Sequence, residues 1–292
     1  MNSEPVIIPE RLASACQNSA DREAWLVVLP SVVRELETRW SLHAGEPFDG
    51  EDVSCSWVAP VTLADRSSAV LKVAMPHMEG EHEIQGLRFW NANPTVRLLD
   101  YDSHLGAMLL ERCQPGTALR TLPQSEQDVV LAALLRRLWR MPSSPYPFRH
   151  LRLMTAHWSQ HTIAAANRWR DGGLVKEGLK LFETLTEPTP DDVLLATDLH
   201  AGNVLRAQRE EWLVIDPKPF TGDPAYDATQ HLFNCEERLL CAPDATIGRI
   251  ADLLGLEHER IRLWIFARAA AEPRDDWRQD WRLQLARAIA PA

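Results

Sequence analysis

No two of the five cysteines form a C-x-x-C pair: Cys16, Cys55, Cys113, Cys235 and Cys241 are scattered along 292 residues. The Cys235 to Cys241 spacing is too loose for a zinc site. An odd, dispersed set of thiols reads as reduced cysteines in a cytoplasm, most of them packed as small hydrophobes. A basic footprint is missing as well. With 31 Lys and Arg against 41 Asp and Glu, the net charge is −10, which excludes a generic nucleic-acid binder. The negative field is compatible with a cationic small-molecule ligand. No stretch of about 18 uninterrupted apolar residues occurs, so no membrane span is expected. Met1-Asn2-Ser3-Glu4-Pro5 lacks the basic start and apolar run of a signal peptide. No internal repeat or low-complexity tract is present, and no oligomer is predicted. What remains, 45% hydrophobic and 25% charged residues, is the composition of an ordinary globular chain with material for a core.

Residues 9–40 read as helical, with Leu12, Trp25, Leu26, Leu29, Val32, Val33, Leu36 and Trp40 near helical spacing. Pro30 is expected to divide this region into two helices. Val53–Val58 and Ala69–Val73 read as strands around a turn at Asp65-Arg66-Ser67. Glu79–Trp90 reads as a helix, then Val96–Leu99 and Ala107–Leu110 as strands. After Glu111 the pattern is mainly helical, over 128–139, 151–170, 173–185, 225–240, 245–254 and 258–270. The segment 141–147 is a loop because of its three prolines. Two short apolar segments, Val193–Ala196 and Trp212–Ile215, interrupt the helices.

The strongest local pattern is Thr197-Asp198-Leu199-His200-Ala201-Gly202-Asn203-Val204-Leu205, followed by Val214-Ile215-Asp216-Pro217-Lys218. Asn203 and Asp216 border apolar segments that could pair as strands. Phosphoryl transfer needs such a set: one carboxylate to orient the attacking hydroxyl, and hard oxygen ligands for magnesium on the nucleotide phosphates. Upstream, Lys72 lies on an alternating strand and Glu83 follows on the next helix. A Lys ammonium suits phosphate oxygens, and a nearby carboxylate holds it in place.

Lys72, Glu83, Asp198-x4-Asn203 and Asp216 resemble, in order and context, the protein-kinase-like fold. Asp198–Leu205 resembles the catalytic loop of the aminoglycoside phosphotransferases. Leu199–Leu205, Ile215–Pro219 and Gly222–Asp227 are similar to the streptomycin 6-kinase and hydroxyurea phosphotransferase group, as are Phe89-Trp90, Val96–Leu99 and Leu109–Arg112. The resemblance covers roughly residues 40–240. It implies a bilobal α+β chain, with a small antiparallel-sheet lobe over 1–112 and a larger helical lobe over 113–292. It further implies transfer of phosphate from ATP, with Mg2+, to a hydroxyl of a small antibiotic or drug.

On the same resemblance, Lys72 contacts the α- and β-phosphates with Glu83 as its partner. The backbone of Glu111–Cys113 meets the adenine. Asp198 takes or orients the hydroxyl proton, Asn203 and Asp216 ligate magnesium, and Asp227 braces the loop. His200 joins the nucleotide-binding set, and Lys218 supplies a second cation for phosphate charge. Two features depart from the family pattern. No G-x-G-x-x-G joins the first two strands, so Ala59-Pro60-Val61-Thr62 must cover the phosphates. Ala196-Thr197 replaces the usual His-Gly before Asp198.

Taken singly, these residues have ordinary roles as a strand lysine, a surface helix acid, turn residues or helix caps. Asp191-Asp192 and Glu236-Glu237 read as solvated ends. The alternatives are a nucleotide-binding module with little catalysis, a kinase of an unrelated metabolite, a protein kinase and a metal-dependent hydrolase. No Ala-Pro-Glu motif follows Asp216, and no second histidine cluster accompanies His200, which weighs against the last two.

Overall fold

The computed structural model describes residues 5–17, 19–50, 55–277 and 280–291. Helices α1 (Glu10–Cys16) and α2 (Ala20–Arg39) precede strands β1 (Leu42–Ala44), β2 (Ser56–Leu63) and β3 (Ser68–Ala74). Helix α3 (Glu83–Trp90) and strands β4 (Leu98–Asp102) and β5 (Ala107–Glu111) follow. Next come helices α4 (Gln124–Leu138), α5 (Leu151–Ala164) and α6 (Gly172–Leu185), then the short strands β6 (Val193–Leu195), β7 (Val204–Arg206), β8 (Trp212–Val214) and β9 (Phe220–Gly222). Helices α7 (Pro224–Phe233), α8 (Glu236–Cys241), α9 (Pro243–Leu254), α10 (His258–Ala271) and α11 (Asp280–Ala288) complete the chain. Two compact units result: Met1–Thr117 with Leu205–Ile215, and Ala118–Val204 with Asp216–Ala292.

The first unit is built on an antiparallel sheet in the order β1-β2-β3-β5-β4. Side chains alternate across a strand, and the two faces have different cover. Ala69, Leu71 and Val73 of β3 share one face with Ala107 and Leu109 of β5, packed with Leu29, Val33 and Leu36 of α2. Met108 and Leu110 of β5 belong to the opposite face, packed with Ile84 and Leu87 of α3. Lys72 pairs in register with Met108 and so lies on the α3 face.

Two expectations change here. The helix break falls after Cys16, not at Pro30, which sits inside α2. A proline interior to a helix costs about 3 kcal/mol. Burying Leu29, Val33 and Leu36 against the sheet, at about 1.5–3 kcal/mol each, offsets that cost. Ala59-Pro60-Val61-Thr62 is not a phosphate-covering loop but the middle of β2, paired with Ser68–Leu71. Ala59 and Val61 are buried in the core. The chain turns only at Asp65, whose Oδ1 accepts from the Ser67 N–H (2.9 Å) and hydroxyl (2.6 Å). Val53 and Ser54 of the same expected strand lie outside the described residues.

The strand expected from Val96 begins at Leu98, and Val96 itself pairs elsewhere. The Val96 N–H donates to Val214 O and the Val214 N–H to Pro94 O, both at 3.0 Å. This ties the β7–β8 hairpin to the first unit. All five cysteines are free thiols. No helix among the described residues is long and apolar enough to cross a membrane.

The second unit is organised around α10, in which every residue from Trp264 to Ala271 is buried. A helix apolar nearly all round belongs inside a core. Gly178 lets α6 approach it: a Cβ there would lie 2.9 Å from Ala271 Cβ and 3.0 Å from Ala270 Cβ. Strand β6 pairs antiparallel with β9, leaving the connecting loop at 196–203 to be positioned by neighbouring side chains. The expected helix 225–240 is two helices, α7 and α8, and α11 is additional to the expected set.

Candidate active site

Lys72 and Glu83 meet within the first unit. Strand alternation turns Lys72 toward α3, and Glu83 opens that helix. Lys72 Nζ donates to Glu83 Oε1 and Oε2, each at 2.6 Å, with the residues only 4% and 2% exposed. A lysine this buried is not a solvated strand residue. Losing one member of such a pair leaves an uncompensated charge, at a cost of about 3–5 kcal/mol.

Glu111 ends β5, and Arg112 and Cys113 follow outside any helix or strand. The Glu111 carboxylate accepts from the Arg97 N–H (3.0 Å) and from Arg209 Nε (3.1 Å) and Nη2 (3.0 Å). Arg209 also donates to Ala92 O and Thr95 O. Burial alone would raise the proton affinity of Glu111, but the Arg209 and Arg97 hydrogen bonds outweigh it and hold the carboxyl below its usual range. Burial pushes the Cys113 thiol up to about 12, so it stays neutral.

The remaining residues gather in the second unit, where the segment after β6 is held by α7. Asp227 has no exposed surface. Its carboxylate accepts from the Ala196 N–H (3.0 Å), the Thr197 N–H (2.7 Å) and Trp139 Nε1 (3.0 Å). Burial pushes this carboxyl up to about 6 against those three donors. Thr197 adopts φ 49° and Asp216 φ 51°, left-handed values that cost about 1–3 kcal/mol for a residue other than glycine. Thr197 is over-determined: besides Asp227, its hydroxyl donates to Lys218 O (2.6 Å), and the Lys218 N–H returns to Ala196 O (2.8 Å). Leu199 and Ala201 are buried anchors, alternating with Asp198 and His200, which stay half-buried.

Asn203 Nδ2 donates to Asp198 O (2.9 Å) and faces Asp198 Oδ2 at 3.5 Å, while Gln230 Nε2 donates to Asp198 Oδ1 at 2.8 Å. Burial raises the Asp198 proton affinity, helped by Asp216 and opposed by His200, Lys218 and Arg268. Lys218 pairs with the Asp216 carboxylate. His200 Nδ1 accepts from the Gly202 N–H (3.1 Å), and its carbonyl accepts from the Asn203 N–H (2.9 Å), so it shapes the loop from within.

The loop's dependence on Asp227 is testable. An amide offers one acceptor oxygen where the carboxylate offers two, so Asp227→Asn must release at least one of the three donors. Hydrogen exchange at the Ala196 or Thr197 amide should accelerate by roughly tenfold or more, since a hydrogen bond to a charged group contributes about 1.5–3 kcal/mol. Unchanged protection at both amides would show that the loop holds itself.

The sequence pattern does not single out Gln230, Arg268 or Arg209. Gln230 was within reach, because it lies one turn beyond Asp227 on the same helix. Asp192 also differs from expectation. It is buried, accepting from the Thr189 hydroxyl (3.0 Å) and facing His150 Nε2 at 2.9 Å.

Residues 39–276 match the family described as aminoglycoside/hydroxyurea antibiotic resistance kinase. A streptomycin 6-kinase of Streptomyces glaucescens is 36% identical, the match covering 91% of this chain and 89% of the relative. A hydroxyurea phosphotransferase of Kitasatospora aureofaciens is 36% identical, covering 82% and 71%. The choline kinase LicA of Streptococcus pneumoniae, 12% identical, superposes with a TM-score of 0.60 over 90% of this chain and 99% of its own. That likeness shows the protein-kinase-like α+β fold. The chain therefore belongs to the aminoglycoside/hydroxyurea antibiotic resistance kinases and is a small-molecule kinase.

Proposed function

We propose that this kinase moves the γ-phosphoryl group of ATP to a hydroxyl of a streptomycin-like aminoglycoside or of hydroxyurea, with magnesium, and so confers resistance. The observation that carries the reading is the half-buried Asp198 carboxylate, held beside Asn203 on a loop pinned by Asp227. The acceptor classes are those named for the two relatives. The net charge of −10 favours the cationic one, because a negative field concentrates positive ligands.

Each residue has a defined task. The acceptor oxygen forms a bond to the γ-phosphorus as the bond from that phosphorus to the ADP oxygen breaks. ADP leaves with the electron pair, and the hydroxyl proton passes to Asp198. Kinases of this kind catalyse by positioning and electrostatics. Lys72, locked by Glu83, offers a fixed ammonium to phosphate oxygens, and the backbone of Glu111–Cys113 meets the adenine. Lys218 supplies further positive charge, and His200 keeps the loop in shape.

Asn203 and Asp216 fit magnesium by donor type, since both present oxygen. No group of three or more His, Cys, Asp or Glu suited to a metal occurs among the described residues. Two protein oxygens with phosphates and water completing the shell is the usual arrangement for this ion. When bound, magnesium spreads the charge on the phosphates.

Two measurements test the reading. ATP consumption by the purified chain should rise when an aminoglycoside or hydroxyurea is added; no rise with any acceptor would favour a nucleotide-binding module. Asp216→Ala should remove the gain in nucleotide affinity that magnesium gives, followed by titration with and without the ion. A retained gain would refute the metal role.

A further inference from the structure

Asp198 is reached by a chain of side chains, half-buried at Gln230 and Glu272 and buried at Arg268, that the transfer chemistry itself does not call for. Gln230 on α7 donates from Nε2 to Asp198 Oδ1 at 2.8 Å. A glutamine amide can face a carboxylate with either end, and the wrong end would set oxygen against oxygen. Here the choice is made by Arg268 on α10, whose Nη2 donates to Gln230 Oε1 at 2.9 Å. A guanidinium only donates, so the amide oxygen must turn to Arg268 and the amide nitrogen to Asp198.

Arg268 is itself immobilised. It is 3% exposed, donates from Nη1 to the Thr229 hydroxyl (2.6 Å) and from Nε to Glu272 Oε2 (2.8 Å). Its guanidinium lies 5.0 Å from the ring centre of Tyr226 and 4.8 Å from that of Phe233. Apart from this chain, the Asp198 side chain has the long 3.5 Å approach of Asn203 Nδ2. Among the described residues, the donor to Oδ1 is Gln230.

From this geometry we infer that Gln230 and Arg268 are positioning residues, Glu272–Arg268–Gln230 forming a relay that fixes the rotation of the Asp198 carboxylate. The inference rests on the reading of Asp198 as the group that receives the hydroxyl proton. Neither residue touches substrate; Gln230 acts through Asp198, and Arg268 acts through Gln230. A purely structural role would move the melting temperature and leave turnover alone.

The test is a set of variants assayed for kcat, KM for ATP and melting temperature. Gln230→Leu keeps bulk and removes the donor, while Gln230→Glu keeps a partner for Arg268 and removes the fixed donor to Asp198. Each should lower kcat by about 10–100-fold, part of the range for a misaligned general base, with KM for ATP within about twofold. Arg268→Lys keeps the charge beside Glu272 but loses the fork, and should lower kcat less. The double variant Gln230→Leu/Arg268→Lys should be no slower than Gln230→Leu alone, because residues acting in series are not additive.

Wild-type kcat in folded Gln230→Leu, or fully additive losses in the double variant, would overturn the relay. If Arg268→Lys does not fold, the two Gln230 variants decide. If the wild-type chain transfers no phosphate, or Asp198→Ala matches it, the reading of Asp198 has failed instead. The relay is then judged by a crystal structure of Gln230→Leu. A rotated Asp198 carboxylate supports it, and an unmoved one overturns it.

Discussion

Asp198→Ala is expected to lower turnover by about 10²–10⁴-fold, the contribution of a positioned acid–base group, and to leave nucleotide affinity within about twofold. Three facts make the effect large. The carboxylate is the acidic side chain of a loop whose backbone is held by Asp227 at two successive amides. Its own oxygens are oriented by Gln230 and Asn203. Truncation therefore removes the proton acceptor, and the acidic neighbour Asp216 is engaged by Lys218. Affinity for ATP should survive because Lys72, Glu83 and the Glu111–Cys113 backbone are untouched. Turnover equal to wild type would remove Asp198 from the mechanism, and a matching collapse of nucleotide affinity would show that it serves binding.

The largest effect on stability is expected at Asp128, which the sequence shows only as one acid on an amphipathic helix. Asp128 has no exposed surface. Its carboxylate meets His231 Nε2 (2.8 Å), Arg238 Nη1 (2.7 Å) and Nη2 (2.8 Å), and Arg249 Nε (2.8 Å). This joins α4 to α7, α8 and α9. Burial would raise its proton affinity, but the hydrogen bonds from His231, Arg238 and Arg249 outweigh it and hold the carboxyl well below the carboxylate range.

Asp128→Ala leaves guanidinium groups facing one another, at about 3–5 kcal/mol for a broken buried pair. At about 2–4 °C per kcal/mol for a unit of this size, the melting temperature should fall on the order of 10 °C. The sign with pH follows from the depressed carboxyl. Its stabilisation is complete above the unfolded value of about 3.9 and is lost as pH falls toward the folded one. The gap between wild type and Asp128→Ala should therefore narrow below about pH 4. A gap that stays constant with pH would mean that lost packing, not lost charge, destabilises the variant.

How far the sequence reveals this molecule depends on the range of the interactions involved. Lys72 is legible because strand alternation, a local property, turns it away from Leu71 and Val73. Asp198, Asn203 and Asp216 are legible because they sit within nineteen positions of one another around short apolar segments. Arg268 is not legible: a charged residue on a predicted helix reads as solvated, and its burial depends on Glu272, Thr229 and three aromatic rings supplied by folding. Arg209 is hidden for the same reason. Its partners Ala92, Thr95 and Glu111 lie some hundred residues upstream.

Strands β7 and β9 have three residues each, too few to show a period. Helix α11 carries arginines at 282 and 287 that break its apolar pattern, although Leu285 and Ala286 are buried. Pro30 misleads in the other direction, because the packing of α2 outweighs a local breaker.

If a phosphoryl group passes to a small drug-like acceptor as Asp198 takes the hydroxyl proton, wild type and Asp198→Ala must differ in product. The most direct measurement incubates the wild-type chain and Asp198→Ala with ATP, magnesium and, in turn, streptomycin, other aminoglycosides and hydroxyurea, and identifies products by mass and NMR. Wild type should yield an acceptor heavier by one phosphoryl group, esterified at a single hydroxyl, with almost none from Asp198→Ala. No phosphorylated acceptor from wild type, or the same product at the same rate from both proteins, would rule out phosphoryl transfer at Asp198.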